Sequence, residues 1–237
     1  MTVQPRSGIR KEQILRAAER VFAQKGFQDA TISDVAREAK VSEATIYEYF
    51  PSKEELLFSI PGETVTRAKE RFEFILKFLR GAANKMRSII YQFLWFYDTH
   101  PDYASVAMLI LKQNRKFLET EAYEDVKEYF RIILHIIEEG IASGEFRADI
   151  NPYLVRSAVL GTIEHMVIRR VLLGKPANLV EYTDQLTDLI IGGIGARKEE
   201  KVWNVRISMD PEEKTGMGGS SRAKEKKTSR STKTAKH

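Results

Sequence analysis

Apolar side chains recur at helical spacing along most of the chain. The first such segment, about residues 11–25, carries one apolar stripe formed by Ile14, Leu15, Ala18, Val21 and Phe22. Gly26 follows it, and glycine readily adopts the left-handed conformation found after the C-terminus of a helix. The pattern therefore predicts a helix that ends at Gly26.

Three capping signals follow within about 22 residues. Thr31 with Asp34 forms a capping box that opens a second helix, which ends near residue 39. Ser42 is placed to cap a third helix that ends before Pro51, and Ser52 opens a fourth. Two short helices separated by about three residues have the geometry of a helix-turn-helix. On this pattern alone, an ordinary helical hairpin fits equally well.

The rest of the chain to about residue 196 also has helical periodicity, with Pro and Gly between the periodic segments. Pro61 and Gly62 predict a break or sharp kink. Further helices are expected at about 63–80, 82–98, 102–117, 121–143, 152–173 and 178–196. These patterns predict an all-α fold with a compact N-terminal three-helix unit and a larger helical bundle.

Residues 198–237 differ in composition. Trp203, Val205, Ile207 and Met209 alternate with polar residues, which is typical of a short strand, although a tail segment that packs on the body is the plainer interpretation. Beyond Pro211 the chain is rich in Gly, Ser, Thr and Lys and cannot bury a core. We therefore expect a basic, disordered tail.

The net charge of +5 belongs to that tail. From residue 214 onward there are eight basic residues and one acidic residue, so residues 1–213 carry a net charge of −2. Residues 1–60 contain nine basic and nine acidic side chains. Overall charge is therefore weak support for nucleic-acid binding, and motifs must carry that argument.

Several classes of chemistry are not expected. The chain has no cysteine, which excludes disulfides and thiolate zinc sites. His100, His135 and His165 do not have the spacing of a metal site, and no nucleophile-and-base arrangement or phosphate loop is present. No apolar run approaches the roughly 18 residues of a membrane span, and the first residues lack the apolar stretch of a signal peptide. We expect a soluble cytoplasmic protein with no metal, cofactor or catalytic site.

The third helix offers an outward face suited to a DNA groove. If Ile46 and Phe50 point inward, helical spacing turns Ala44, Thr45 and Glu48 outward, with Tyr47 on the flank. A short face of small and polar groups is what a recognition helix presents to the major groove.

Residues 14–57, ILRAAERVFAQKGFQDATISDVAREAKVSEATIYEYFPSKEELL, resemble the N-terminal domain of the TetR family of bacterial transcriptional regulators. The resemblance implies a DNA-binding domain at 1–57 and a ligand-binding and dimerisation domain at 58–197. It also implies a homodimer, because a palindromic operator in double-stranded DNA requires a two-fold symmetric protein. The last two helices of the body are the expected dimer interface, although part of their apolar surface must be intrachain core.

The same resemblance assigns DNA-contacting roles. It places Thr31 on a phosphate, Tyr47 and Tyr49 on further phosphates, and Lys53 as the anchor of the fourth helix on the DNA backbone. It places the base-reading start of the recognition helix at Ser42, Glu43, Ala44 and Thr45. Two positions depart from the family pattern, since Lys40 and Ala44 stand where the family commonly has glycine. Lysine at position 40 would be strained by about 1–2 kcal/mol if the turn requires a positive φ.

An effector pocket is expected among the aromatic-rich middle helices, although such stripes more often form core. Its candidate residues are Phe93, Phe96, Tyr97, Phe130 and His165. The stretch from Glu138 to Val167 loosely resembles fatty-acid-degradation repressors of the family, which bind long-chain acyl-CoA. The sequence therefore predicts a repressor released from its operator by a small apolar effector. The alternative is a constitutive architectural DNA-binding protein that uses the basic tail.

Overall fold

The structure, a computed structural model, describes residues 6–196, which form helices joined by short turns. The α-helices are α1 (Arg6–Asp29), α2 (Ile32–Ala39), α3 (Glu43–Tyr49), α4 (Lys53–Leu76), α5 (Ala82–Thr99), α6 (Pro101–Ser105), α7 (Glu121–Ala142), α8 (Pro152–Leu173) and α9 (Thr183–Ile194). A π-helix spans Val106–Leu111, and 3₁₀ turns span Phe117–Glu119 and Val180–Tyr182. The expected all-α fold is confirmed. The strand-like segment and basic tail predicted at 198–237 lie outside the described residues.

The predicted helix starts have the expected caps. Thr31 Oγ1 accepts a hydrogen bond from the Asp34 amide at 3.1 Å, and Asp34 Oδ2 accepts one from the Thr31 amide at 3.2 Å. Ser42 caps α3 through the Thr45 amide at 3.1 Å, and Ser52 caps α4 in the same way. These bonds satisfy amide groups that have no partner within the helix.

Gly26 interrupts α1 as predicted, with a φ of 76° and a ψ of 163°, but the chain resumes one more helical turn as far as Asp29. This extra turn brings the chain to Thr31, where α2 begins.

The predicted break at Pro61 is wrong. Helix α4 continues through Pro61 from Lys53 to Leu76, and the ring of Pro61 is buried. Proline removes one backbone hydrogen bond. Ile60, Val65 and Phe72 on the same helix are buried, and their burial stabilises the helix. The spacing of apolar residues in the sequence does not show the size of this effect. One helix therefore joins the N-terminal unit to the bundle.

The helix predicted at 102–117 is also interrupted. Helix α6 ends at Ser105, the π-helix follows, and turns replace regular helix after Leu111. π-helices are rare, and those that interrupt a helical segment are often found at functional sites. Here Ala107, Met108 and Leu111 face the interior cavity described below.

Apolar side chains from several helices form a continuous core. In the N-terminal unit, Phe22 of α1, Val35 of α2 and Ile46 of α3 are fully buried. The bundle core includes Ile90 of α5 and Ile133 of α7. In the described part of the chain, no helix is long and apolar enough to cross a membrane.

Candidate DNA-binding surface and effector cavity

Helix α3 presents the outward face that the sequence predicts. Ile46 and Phe50 are buried at 0% and 2% exposure, which fixes the orientation of the helix against α1 and α2. The residues turned toward solvent or the rim are Ser42, Glu43, Ala44, Thr45, Tyr47, Glu48 and Tyr49. The structure thus leaves the α3 candidate residues exposed, except Thr45 and Tyr49, which are partly buried.

Thr31 lies exposed at the start of α2, next to a charged cluster centred on Asp34. The Asp34 carboxylate pairs with Lys25 at 2.8 Å and Arg37 at 3.0 Å. Hydrogen bonds from Lys25 and Thr31 hold the pKa of Asp34 well below its usual range. The carboxylate therefore stays ionised and neutralises nearby cations that could otherwise face DNA.

Lys53 is placed differently from the prediction that it anchors α4 on the DNA backbone. Its Nζ donates to the carbonyl oxygens of Phe27 and Ala30, each at 2.8 Å, and lies 3.4 Å from that of Gln28. The ammonium also lies 4.5 Å from the centroid of the Phe27 ring. An ammonium has three donors, so Lys53 is committed to carbonyls at the end of α1 and positions α4 inside the protein.

The turn between α2 and α3 is left-handed at Lys40, with a φ of 54° and a ψ of 44°. The Lys40 amide donates to Arg37 O at 3.3 Å and the Val41 amide to Ala36 O at 3.0 Å. These two bonds form a Schellman motif, in which glycine is the usual left-handed residue. The turn therefore does require a positive φ at this position, the condition under which lysine is strained.

A cavity of about 630 Å³ lies among α4, α5, the π-helix, α7 and α8. This volume is within the range of small-molecule sites, about 300–1,000 Å³. Phe93, Phe96, Tyr97 and Phe130 line it, as the sequence predicts, and the Phe93 and Phe130 ring centroids are 5.5 Å apart. His165 is a correction: it is exposed on α8, whereas its neighbour Glu164 faces the cavity. Adjacent residues on a helix point in different directions, so only one of the two can face inward.

The wall of this cavity is apolar in its interior and basic toward its edges. Lys112, Lys127, Arg131 and Arg156 are all lining residues. Lys112 pairs with Glu164 across the π-helix and α8, and the others have partners on their own helices. Burial raises the pKa of the Tyr97 hydroxyl well above its usual value, so this side chain stays neutral.

A second cavity of about 470 Å³ lies where α1 meets α4, α5 and α6. It shares wall residues with the first cavity, namely Thr64, Ala68, Phe96 and Tyr129. Four arginines line it: Arg16, Arg20, Arg67 and Arg71. The guanidinium of Arg71 lies 4.7 Å from the centroid of the Trp95 ring. Glu12, Glu19 and Asp102 also line this cavity, and Glu12 pairs with Arg16 and Arg67. The two cavities are therefore neighbours, one with many aromatic side chains and one with many charged side chains of both signs.

Two acidic residues in the second cavity have perturbed pKa values. A hydrogen bond from Arg67 lowers the pKa of Glu12, although burial opposes this shift. Burial, aided by the negative charge of Asp102, raises the pKa of Glu19 to about 7. Arg20 and Arg16 partly offset this effect. Sequence reasoning missed this cavity, because its walls come from five helices and no local pattern marks them. In the described residues, no cluster of three or more His, Cys, Asp or Glu side chains could hold a metal ion.

Helices α8 and α9 carry a solvent-exposed apolar surface. Its large members are Tyr153, Leu154, Leu172, Leu173 and Leu189, which are 60–70% exposed. Gly161, Gly192 and Gly193 have open space around them. Leu186 and Ile190 of α9 are instead buried in the chain's own core. Exposed leucines of this number on two packed helices are typical of a protein interface.

A helix-turn-helix joined by one long helix to a bundle with an internal cavity defines a ligand-responsive DNA-binding regulator. Residues 14–60 match the family model described as bacterial regulatory proteins, tetR family, and residues 63–193 match the YsiA-like protein C-terminal region. The chain belongs to the TetR family of transcriptional regulators. Members of this family bind operator DNA as dimers, and they are regulators rather than enzymes.

Individual relatives extend over most of the chain. The fatty acid metabolism regulator protein of Bacillus subtilis strain 168 is 31% identical over 182 residues, which cover 77% of this chain and 94% of the relative. A crystal structure of the regulator FadR from Bacillus subtilis in complex with stearoyl-CoA superposes with a TM-score of 0.73 and 31% identity, covering 77% of this chain and 98% of that one. The transcriptional repressor KstR2 of Mycolicibacterium smegmatis is 22% identical and covers 81% of this chain and 94% of its own.

Proposed function

We propose that this protein is a homodimeric repressor that binds a palindromic operator and leaves it when a long-chain acyl-CoA binds. The observation that carries the ligand class is the aromatic-lined cavity, which also has basic side chains in its wall and adjoins a second cavity lined by four arginines and three acidic residues. A long acyl chain matches the aromatic wall, and an anionic head group matches the basic side chains at the two cavities. The stearoyl-CoA bound to the Bacillus subtilis regulator supports the same ligand class.

On the DNA side, the proposed base-reading residues are Ser42, Glu43, Ala44 and Thr45, and the proposed phosphate contacts are Thr31, Tyr47 and Tyr49. The exposure of five of these seven side chains supports this assignment; Thr45 and Tyr49 are partly buried. In a dimer, two copies of α3 would enter successive major grooves roughly 34–36 Å apart. The exposed leucines of α8 and α9 are the proposed dimer surface.

The domain assignment follows from these roles. Residues 1–57 would read DNA, residues 58–197 would bind the effector and form the dimer, and residues 198–237 would be an accessory tail. Because its binding target is DNA, we place the protein in the cytoplasm. The basic tail would add only salt-sensitive, sequence-independent affinity.

The arginine-lined cavity connects ligand binding with DNA binding. Its wall includes Arg16, Glu19 and Arg20 of α1, the first helix of the DNA-binding unit. A head group bound there would contact α1 directly, while the acyl chain would occupy the cavity in the bundle. A coupling free energy of about 1–3 kcal/mol between the two sites is typical of such regulators.

The test uses the full chain and a duplex that the wild-type protein enriches from a random-sequence pool. We expect stearoyl-CoA to dissociate the complex, whereas CoA alone and stearate alone have much weaker effects. Ala68 lies in the wall that both cavities share. Ala68→Phe should therefore remove the response to stearoyl-CoA while retaining DNA binding.

Ala142→Phe is the matched control, because Ala142 is exposed on α7 and lines neither cavity. It should respond to stearoyl-CoA like the wild type. Failure to enrich any duplex would contradict the repressor function. Enrichment without a response to stearoyl-CoA would contradict the proposed effector alone.

A further inference from the structure

We infer that Lys40, in the turn before the recognition helix, contacts a DNA backbone phosphate and supplies a large part of the positive charge that this surface brings to DNA. The inference rests on the proposed DNA-binding function. Residues 26–60, which contain α2, α3 and the start of α4, carry seven acidic side chains and only three basic ones, Arg37, Lys40 and Lys53.

The recognition helix itself has no cation. Its charged residues are Glu43 and Glu48, both exposed. Affinity for DNA depends strongly on lysine and arginine contacts with phosphates. The cations must therefore come from residues outside α3, and those nearest to it in the sequence are Arg37, Lys40 and Lys53.

Two of the three flanking cations are already engaged. Arg37 pairs with Asp34 at 3.0 Å, and Lys53 donates to carbonyl oxygens at the end of α1. Lys25 on α1 pairs with the same Asp34 carboxylate at 2.8 Å. Lys40 is exposed, and within residues 6–196 no acidic group forms an ion pair with it.

The backbone at Lys40 is a second, independent observation. Within the described residues, Lys40 is the one non-glycine residue with a positive φ, 54°. A side chain with a Cβ is disfavoured in this region, whereas glycine adopts it readily. Strain of this kind persists where the side chain has a role that glycine cannot perform.

Lys40 caps the C-terminus of α2 and lies two residues before Ser42, the N-cap of α3. Its flexible four-carbon stem therefore starts beside the proposed base-reading residues. The Schellman hydrogen bonds of the turn hold its Cα in place while leaving the ammonium in solvent.

Three variants separate charge from strain. Lys40→Ala removes the charge and keeps the strained conformation, Lys40→Gly removes both, and Lys40→Arg keeps both. Lys77→Ala is the control, because Lys77 is an exposed lysine at the far end of α4. Each protein is titrated by fluorescence anisotropy against the duplex enriched by the wild type and against a random duplex, at salt concentrations from about 50 to 300 mM.

One phosphate contact per subunit means two per dimer. Lys40→Ala and Lys40→Gly should therefore make the negative slope of log K against log salt shallower by about 1.8 on both duplexes, and weaken binding roughly tenfold or more at low salt. Lys40→Arg and Lys77→Ala should keep the wild-type slope. Lys40→Gly should also raise the Tm, and Lys40→Ala should not.

If Lys40→Ala and Lys40→Gly keep the wild-type salt slope, the phosphate contact is wrong, even if Lys40→Gly raises the Tm. That result leaves the repressor function intact, since the wild type still selects its duplex. If the wild type selects no duplex, the proposed function fails and the inference fails with it.

Discussion

Replacing Glu19 by glutamine should stabilise the protein at high pH and have little effect at low pH. Glu19 lies on α1 and lines the cavity between the DNA-binding unit and the bundle. Burial of its carboxylate, and next the negative charge of Asp102, raise its pKa from 4.5 to about 7. The ionised form is therefore disfavoured in the folded protein.

The sign follows from proton linkage. Because the folded-state pKa is above the unfolded value, the folded protein holds this proton more tightly, and stability falls as the pH rises from about 4.5 through 7. The full difference in pKa corresponds to about 3 kcal/mol. Glu19 is partly exposed, so solvent screening reduces the expected effect to about 1–2 kcal/mol. Glutamine has nearly the same shape and stays neutral at every pH.

The assay is urea denaturation of wild type and Glu19→Gln at about pH 4 and pH 8. We expect nearly equal free energies of unfolding at about pH 4 and a gain of about 1–2 kcal/mol for Glu19→Gln at about pH 8. His100 lines the same cavity in both proteins, so the difference between them isolates Glu19. Glu73→Gln, at an exposed position of α4, should show no such dependence. A difference that stays constant with pH, or a less stable Glu19→Gln at pH 8, would refute the reasoning.

Three further substitutions test other parts of the structure. A Cβ at Gly140 would lie 2.1 Å from Cδ2 of Phe146, so Gly140→Ala should lower the free energy of unfolding by about 1–3 kcal/mol, and an unchanged Tm would contradict this packing. Lys53→Met leaves the carbonyls of Phe27 and Ala30 without their donor and should cost about 1–3 kcal/mol in urea denaturation; weaker DNA binding at unchanged stability would instead favour a phosphate contact. Leu189→Asp, at a position 70% exposed, should yield a folded monomer in analytical ultracentrifugation, and a persistent dimer would move the interface elsewhere.

Local hydrogen bonding explains what the sequence predicted well. The caps at Thr31, Ser42 and Ser52 each involve groups only three residues apart, so their geometry is set by the helix itself. The inward position of Ile46 follows in the same way from helical periodicity. Such features need no knowledge of the rest of the fold.

The errors arose where distant parts of the chain decide the outcome. Helix α4 continues through Pro61 because its flanking apolar residues are buried. The carbonyls that engage Lys53 belong to residues 23 to 26 positions earlier in the sequence. The sequence places the neighbours Glu164 and His165 on α8, but it does not give the rotation of that helix about its axis. In the structure this rotation turns Glu164, and not His165, toward the cavity. The arginine-lined cavity could not be predicted from the sequence, because residues from several helices form its wall.

The start of α4 provides a second route from the effector cavity to the DNA-binding unit. Glu54, in the first turn of α4, pairs with Lys116 at 3.0 Å, and the Phe58 ring lies 5.7 Å from that of Phe117. Phe117 itself lines the aromatic cavity. Since Lys53 ties the same turn of α4 to the end of α1, a ligand that displaces Phe117 would move α4 and α1 together. We therefore expect ligand binding to rotate the DNA-binding unit as a whole. A change within α3 would disrupt its caps and the buried Ile46, whereas a rotation of the whole unit leaves them intact.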